Sequence, residues 1–253
     1  MTLLLLVVAH PDDETFGCGS LLMHAAERGA RTVVLCATRG EAGEVTDPDL
    51  VPTGGLGELR EGELRAAAAY LGVADVELLD LVDSGMDGDA APETLCGAPL
   101  EVVVAAVRRA VDRHRPDVVV TLDGGDGHRD HVRIREAVEE ALAGSATPLY
   151  VEGLPRSLMH AWVQHHAGGD YAAYTELPDI GTPDEQFTTV VETGHLLERR
   201  DAAIALHASQ KSPFDGLPDD LHRAFLTREH LIRLNPPWAG GPLETELSGL
   251  SGP

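Results

Sequence analysis

The chain predicts an α/β fold in one domain: a mostly parallel sheet with helices on both faces and an irregular C-terminal part. Three observations carry this. Apolar runs of strand length alternate with amphipathic stretches of helix length through the first 150 or so residues. The strand candidates are apolar almost throughout, the pattern of strands covered on both faces. Punctuation falls where turns are needed, as at Gly72 and Gly144.

Leu3–Ala9 is an unbroken apolar run. Thr15–Arg28 has helical periodicity, with Leu21, Leu22, Ala25 and Ala26 on one face. Arg31–Ala37 is again apolar and β-branched, and Glu58–Leu71 predicts a helix stopped by Gly72. Val76–Leu81 reads as a short strand, Leu100–Arg113 as a helix, and Pro116–Leu122, with its three consecutive valines, as a buried strand. His131–Leu142 predicts a helix ending before Gly144, and Pro148–Val151 a short strand. Beyond this the pattern loosens. Arg156–Asp184, with Gly168-Gly169, Pro178 and Pro183, reads as a long surface excursion that lines the pocket. Phe187–Val191 predicts a strand, Leu196–Ser209 a helix and Leu217–Phe225 another. The expected domain spans 1–235, followed by an extended tail, 236–253, rich in Pro and Gly. There is no internal repeat and no low-complexity block.

With 253 residues the chain is long enough for a large core, and at 4% aromatic content that core rests on Leu, Val and Ala. A formal net charge of −23 argues against a nucleic-acid partner, which needs a basic footprint, and against an anionic membrane surface. Lys211 is the sole lysine. Three cysteines, Cys18, Cys36 and Cys96, form no CxxC pair and no even framework, so a reducing compartment is expected. The apolar N-terminus is short, lacks a basic start and runs directly into His10-Pro11-Asp12-Asp13, unlike a secretory signal. No run reaches the roughly 20 apolar residues of a membrane span. The expectation is a cytoplasmic protein, with a homo-oligomer left open.

Ligands of open parallel sheets gather beyond the carboxyl ends of strands. After the first strand the chain reads His10-Pro11-Asp12-Asp13-Glu14-Thr15-Phe16-Gly17-Cys18-Gly19. Gly17 and Gly19 begin a GxG, but position 22 is Leu, and three carboxylates would repel a pyrophosphate. An imidazole beside carboxylates suits zinc or a related divalent cation instead. The plainer alternative is that Asp12 and Asp13 cap the following helix. A second group follows the strand ending at Leu122: Asp123-Gly124-Gly125-Asp126-Gly127-His128-Arg129-Asp130-His131. A catalytic zinc wants three protein ligands and one open position. His10, Asp13 and one of the two later histidines supply them.

His10-Pro11-Asp12-Asp13-Glu14 and Gly127-His128-Arg129-Asp130-His131 together resemble the PIG-L/LmbE-like deacetylase family, whose motifs are AHPDDE and GHxDH. Thr38-Arg39-Gly40-Glu41, Leu59-Arg60-Glu61, Asp83-Ser84-Gly85-Met86 and His207-Ala208-Ser209-Gln210 extend the likeness over roughly residues 3–215. The resemblance implies a Rossmann-like α/β fold and zinc-dependent removal of an N-acyl group, chiefly acetyl, from an amino sugar or related small amide. It implies that His10, Asp13 and His131 bind the metal, that Asp12 is the general base, and that His128 stabilises charge or donates a proton. Arg60 and Asp83 match positions that contact substrate hydroxyls. Asp130 is expected either to orient a histidine or to cap a helix. The donor set also suits iron(II).

Two positions depart from the family pattern. Arg129 stands where the second motif usually has Pro. Asp126 stands where the mycothiol-pathway branch has a Tyr that helps the oxyanion, and a carboxylate cannot donate unless protonated. The competing readings are an amidase of a larger thiol-sugar conjugate and an inactive metal- or sugar-binding module. Intact Asp12 and His128 argue against the module, because binding alone needs no base beside the metal.

Overall fold

The protein's structure is a computed structural model that describes residues 1–166 and 180–250. A seven-stranded sheet organises them, built from β1 (Leu3–Val8), β2 (Arg31–Cys36), β3 (Asp75–Leu78), β4 (Val118–Leu122), β5 (Leu149–Glu152), β6 (Thr189–Glu192) and β7 (Arg228–Asn235) in the order β3-β2-β1-β4-β5-β7-β6. β1 to β5 run parallel, and β7 is antiparallel to both β5 and β6. The helices are α1 (Asp13–Phe16), α2 (Gly19–Glu27), α3 (Leu56–Leu71), α4 (Leu100–His114), α5 (Arg129–Ala141), α6 (Arg156–His165), α7 (Leu197–Ile204) and α8 (Asp219–Leu226).

β1 explains why its sequence is apolar at every position. Leu4, Leu6 and Val8 face α2 and α3, packing with Leu21, Leu22 and Leu64. Leu3, Leu5 and Val7 face α4 and α5, packing with Val103, Val107 and Ile134. Each fully buried Leu or Val contributes about 1.5–3 kcal/mol, so no position on this strand tolerates a polar residue cheaply. Strand order reverses at β1 and β4, which are hydrogen-bonded neighbours at the sheet centre. Their carboxyl ends therefore open onto one crevice, although the strands lie far apart in sequence.

The structure departs from the expected elements in four places. The helix expected over Thr15–Arg28 is split at Gly17-Cys18 into α1 and α2. A Cβ on Gly17 would lie 3.0 Å from the Asp13 carbonyl oxygen and 3.2 Å from Glu152 Oε2, and one on Gly19 would lie 3.2 Å from Arg200 Cδ. These glycines thus permit close packing rather than phosphate binding. The stretch Arg156–Asp184 begins with α6, while Gly168, Gly169 and Pro178 lie outside the described residues. The helix expected to reach Ser209 stops at Ile204. β7 was not expected: its buried face carries Glu229, which pairs with the equally buried Arg200. Arg200 Nη2 donates to the Phe16 and Gly17 carbonyls at 2.6 and 3.1 Å, tying the C-terminal part to the α1–α2 junction.

The segment after Pro236 has no helix or strand among its described residues, yet it is packed against the sheet. Leu247 and Leu250 are buried beside β1 and β4, and Glu246 accepts from His24 Nε2 at 3.0 Å. Among the described residues no helix is long and apolar enough to cross a membrane.

Candidate active site

At the end of β1 the chain turns sharply into α1. Asp13 stabilises this turn: its Oδ2 accepts the Ala9 and His10 backbone N–H groups at 3.1 and 2.8 Å. Asp12 has φ 116°, a conformation that L-residues rarely adopt, and strain of this kind costs about 1–3 kcal/mol. Its neighbours hold it there. Arg60 Nη2 donates to Asp12 Oδ2 at 3.0 Å and to the Pro11 carbonyl at 2.5 Å, and Arg60 Nη1 donates to the Gly40 carbonyl at 2.9 Å. The Asp12 N–H donates to Glu14 Oε2 at 2.9 Å, and the other Glu14 oxygen accepts from His207 Nε2 at 2.8 Å, both side chains being fully buried.

Beyond β4, His128 is the N-cap of α5. Its Nδ1 accepts the Asp130 N–H at 3.2 Å, which leaves the hydrogen of the neutral ring on Nε2. His131 lies in the first turn of α5, and its Nδ1 donates to Asp126 Oδ2 at 2.6 Å. Asp126 Oδ1 accepts the His128 N–H at 3.0 Å, so one carboxylate organises both histidines.

The two halves meet in a triangle of donor atoms. His131 Nε2 lies 3.3 Å from His10 Nδ1 and 3.2 Å from Asp13 Oδ1, and His10 Nδ1 lies 3.7 Å from Asp13 Oδ2. Ligands 2.0–2.1 Å from a tetrahedral zinc are separated by roughly 3.3–3.4 Å; the two separations from His131 Nε2 match this spacing, while the His10–Asp13 one is longer and is made to the other carboxylate oxygen, Oδ2. The outward ring atoms are held by carboxylates: His10 Nε2 by Asp130 Oδ2 at 3.2 Å and Asp83 Oδ1 at 3.5 Å, His131 Nδ1 by Asp126. This carboxylate–histidine arrangement is how proteins orient metal-binding imidazoles. His10, His128 and His131 also form a group whose ring nitrogens lie within 4.8 Å of one another.

Charge crowding shifts the proton affinities of the site residues in opposite directions. Burial would lower the His10 pKa, but Asp130, Asp83 and Asp13 raise it to about 9. Burial likewise opposes the charge on His131, yet Asp126 and Asp13 hold its pKa well above the usual histidine range. Burial raises Asp13, but His131 and His10 overcome it and keep the carboxyl well below the usual range. Burial pushes Asp12 up to about 6, although Arg60 pulls the other way. His128 falls to about 4 through burial and the neighbouring His10 and His131. This favours the neutral ring near pH 7, with its hydrogen on Nε2.

The other expected residues come together around this triangle, with altered surroundings. Arg60 lines the cavity, is 4% exposed, and has both its Nη groups engaged within the chain, one of them with Asp12. Asp83 lines the cavity but also backs His10, and its Oδ1 accepts the Gly85 N–H at 2.8 Å. Asp130 orients His10 and is not the helix cap; it also accepts from the Ser84 N–H at 2.9 Å and Cys96 Sγ at 3.0 Å. Arg129 turns away from the cavity and donates to the carbonyls of Gly85, Asp87 and Gly88, each at 2.8 Å, pinning the loop that carries Asp83.

The sequence marks Asp126 by its departure from Tyr; its place five residues before His131 is the signal for a histidine partner. Glu152 was missed: it ends β5, lines the cavity and is 6% exposed. Burial, with Glu229 and Asp123 nearby, raises its pKa well above the usual glutamate range. The cavity encloses about 370 Å³ and also takes Met159, Trp162 and Phe214 into its wall.

A Rossmann-like α/β fold with a His/Asp cluster able to hold a metal ion at its topological switch point defines the class of protein. Comparison makes the assignment specific: residues 5–142 match the profile of PIG-L: GlcNAc-PI de-N-acetylase, and the chain belongs to that family. It is 35% identical to a 1D-myo-inositol 2-acetamido-2-deoxy-alpha-D-glucopyranoside deacetylase of Kineococcus radiotolerans, over 96% of this chain and 80% of the relative. It is 34% identical to the enzyme of that name from Geodermatophilus obscurus, over 98% of both chains. In structure it is similar to N,N'-diacetylchitobiose deacetylase from Pyrococcus horikoshii, with TM-score 0.61 and 19% identity over 92% of this chain and 83% of that one. It is equally similar to 4-carboxy-2-hydroxymuconate hydratase from Pseudomonas putida KT2440, with TM-score 0.62 and 17% identity over 96% and 100% of the two chains. At these identities the structural likeness speaks to the fold alone.

Proposed function

We propose that this protein is a zinc-dependent hydrolase that removes an N-acyl group, acetyl in the simplest case, from an amino sugar or a related small amide. The observation that supports it best is the triangle of His10 Nδ1, His131 Nε2 and Asp13, with the outward nitrogen of each histidine on a carboxylate. His10, Asp13 and His131 would hold the ion. When bound, the ion supplies Lewis acidity, lowering the pKa of water to about 7 and polarising a carbonyl. Asp12, held at the cavity by Arg60 and outside the triangle, takes the proton of the attacking water. The Nε2–H of neutral His128 donates to the oxygen that gains charge as the amide carbon becomes tetrahedral. Water adds to the carbonyl carbon, the C–N bond breaks, and the amine departs with a proton returned from Asp12. Asp83 and Asp130 orient His10, Asp126 orients His131, and Arg60 fixes Asp12.

Relatives named as deacetylases of an inositol glycoside of N-acetylglucosamine favour an amino-sugar substrate. The test is amine release from N-acetylated sugars, glycosides and thiol conjugates, with metal content measured on the same preparation. Zinc or iron at about one ion per chain, and activity lost on chelation and restored on metal return, are expected. Hydrolysis of no N-acyl compound by metal-loaded protein would leave a binding module, and full activity without metal would remove the mechanism.

A further inference from the structure

Arg60 holds the Asp12 carboxylate, but the Asp12 backbone is held by a second arm that begins far along the chain. Glu14 is its first link. Glu14 Oε2 accepts the Asp12 N–H at 2.9 Å, and Oε1 accepts from Thr15 Oγ1 at 2.5 Å and from His207 Nε2 at 2.8 Å. Glu14 and Thr15 are fully buried and His207 is 1% exposed. A carboxylate taken this far from water needs a charged partner, and His207 is that partner. Among the described residues His207 Nδ1 has no partner, so the hydrogen bonds of this ring go to Glu14 and, at 3.3 Å, to Thr15. His207 is placed in turn by its neighbours. The Ser209 N–H and Oγ donate to the two oxygens of Glu63 at 2.8 and 2.6 Å. The Thr46 N–H and Oγ1 donate to the Ser209 and Ala208 carbonyls, each at 2.9 Å. Glu63 stands on α3 one turn beyond Arg60, so one helix supports both arms that reach Asp12.

Left to itself, a residue at φ 116° relaxes towards negative φ. That rotation swings the Cα–Cβ bond and carries the carboxylate with it. Arg60 fixes the end of the side chain, whereas the contact at the Asp12 N–H fixes the backbone from which the side chain projects. A reacting group displaced by about 1 Å can lose about 10²-fold in rate. Resting on the hydrolase reading above, we infer that Glu14 and His207 are positioning residues for the reaction: together they lock the Asp12 backbone at positive φ and so aim the base at the attacking water. Neither side chain lines the cavity, so they act through Asp12 and not on the substrate. The segment His207-Ala208-Ser209-Gln210 thereby serves the reaction although it lies more than 60 residues beyond His131.

The test separates positioning from stability, using the zinc-loaded full chain. His207→Leu removes the donor to Glu14 and should lower kcat by about 10²-fold, with KM and zinc content holding. His207→Gln returns an amide N–H to the place of Nε2 and should recover most of that kcat. The double variant Glu14→Leu/His207→Leu removes both buried polar groups, which brings the melting temperature back towards wild type. It still leaves the Asp12 N–H without its acceptor, so kcat should stay low. A double variant that regains kcat along with stability would overturn the proposal and leave the pair a packing element. Amide hydrogen exchange at Asp12, read by NMR, needs no substrate. Exchange should be slow in wild type and His207→Gln, and about tenfold faster in His207→Leu when referred to Leu6 of β1. Equal protection in all three overturns the proposal. Should His207→Leu not fold, Glu14→Asp, charged but one methylene short of the Asp12 N–H, replaces it in both measurements with the same outcomes. If the wild type hydrolyses no N-acyl compound, the hydrolase reading fails, and the exchange result alone decides whether the pair holds Asp12.

Discussion

Asp126 Oδ2 lies 2.6 Å from His131 Nδ1, the shortest of the carboxylate–histidine contacts around the candidate metal triangle. The contact fixes which nitrogen of His131 faces His10 and Asp13. It also gives a carboxylate a reason to stand where a related branch has Tyr: the position orients a ligand. Asp126→Asn should therefore weaken metal affinity by about 10–100-fold. Metal titration by competition with a chromophoric chelator reads this directly, and unchanged affinity would return Asp126 to a loop-capping role.

Asp12 sits outside the triangle with φ 116°. Asp12→Asn keeps the side chain's size and removes the base, so metal content should hold while kcat falls by about 10²–10⁴. Near-native turnover would exclude Asp12 as the base.

Arg60 meets Asp12 rather than open solvent, which separates two roles that kinetics can tell apart. If Arg60 positions Asp12, Arg60→Lys lowers kcat and moves KM little, because Lys cannot reproduce the three contacts of the guanidinium. A rise in KM with kcat preserved would mean that Arg60 holds the substrate instead.

His128 does two jobs through its two nitrogens. Nδ1 caps α5, and losing a cap costs about 1 kcal/mol. Nε2–H is the candidate oxyanion donor, worth about 10²–10³ in kcat. His128→Asn restores a capping oxygen but not the donor's reach. Its thermal stability should therefore exceed that of His128→Ala, with kcat low in both. Equal stability of the two variants would count against the cap.

Glu152 supplies a pH signature in stability, away from the metal residues. An acid whose pKa rises on folding holds its proton more tightly in the folded state. Its contribution is therefore favourable below the ordinary glutamate range and is lost as pH climbs through that range towards the raised value. Glu152→Gln cannot ionise and should melt higher than wild type near pH 8, with the difference shrinking towards about pH 4. A difference independent of pH would mean that Glu152 is ionised in the folded protein.

The parallel strands and the two motif loops were legible because both signals are local. An unbroken apolar run such as Leu3–Val8 needs no partner to be recognised, and His10 and His131 each stand beside a strand that ends nearby. Contacts set by distant chain were not legible. β7 carries a buried Glu229 that makes sense only with Arg200 beside it, and α6 has its apolar face against Phe214 and Phe225. Arg60 and Asp83 are pointed to by the family resemblance, as substrate contacts, and Asp130 by its place between His128 and His131, but their partners depend on three loops meeting, which spacing alone does not encode.

The candidate site residues and part of the cavity's apolar lining come from different stretches of chain, although Phe16 and Leu122 lie in the same span as the site residues. His10, Asp12, Asp13, Arg60, Asp83, Asp126, His128 and His131 all fall within residues 5–142, the span shared with the family profile. Met159, Trp162, Phe214 and Phe225 all come later. The residues proposed to react and most of the cavity's aromatic lining thus lie on separate segments of one polypeptide, so that lining can vary in sequence without changing the former.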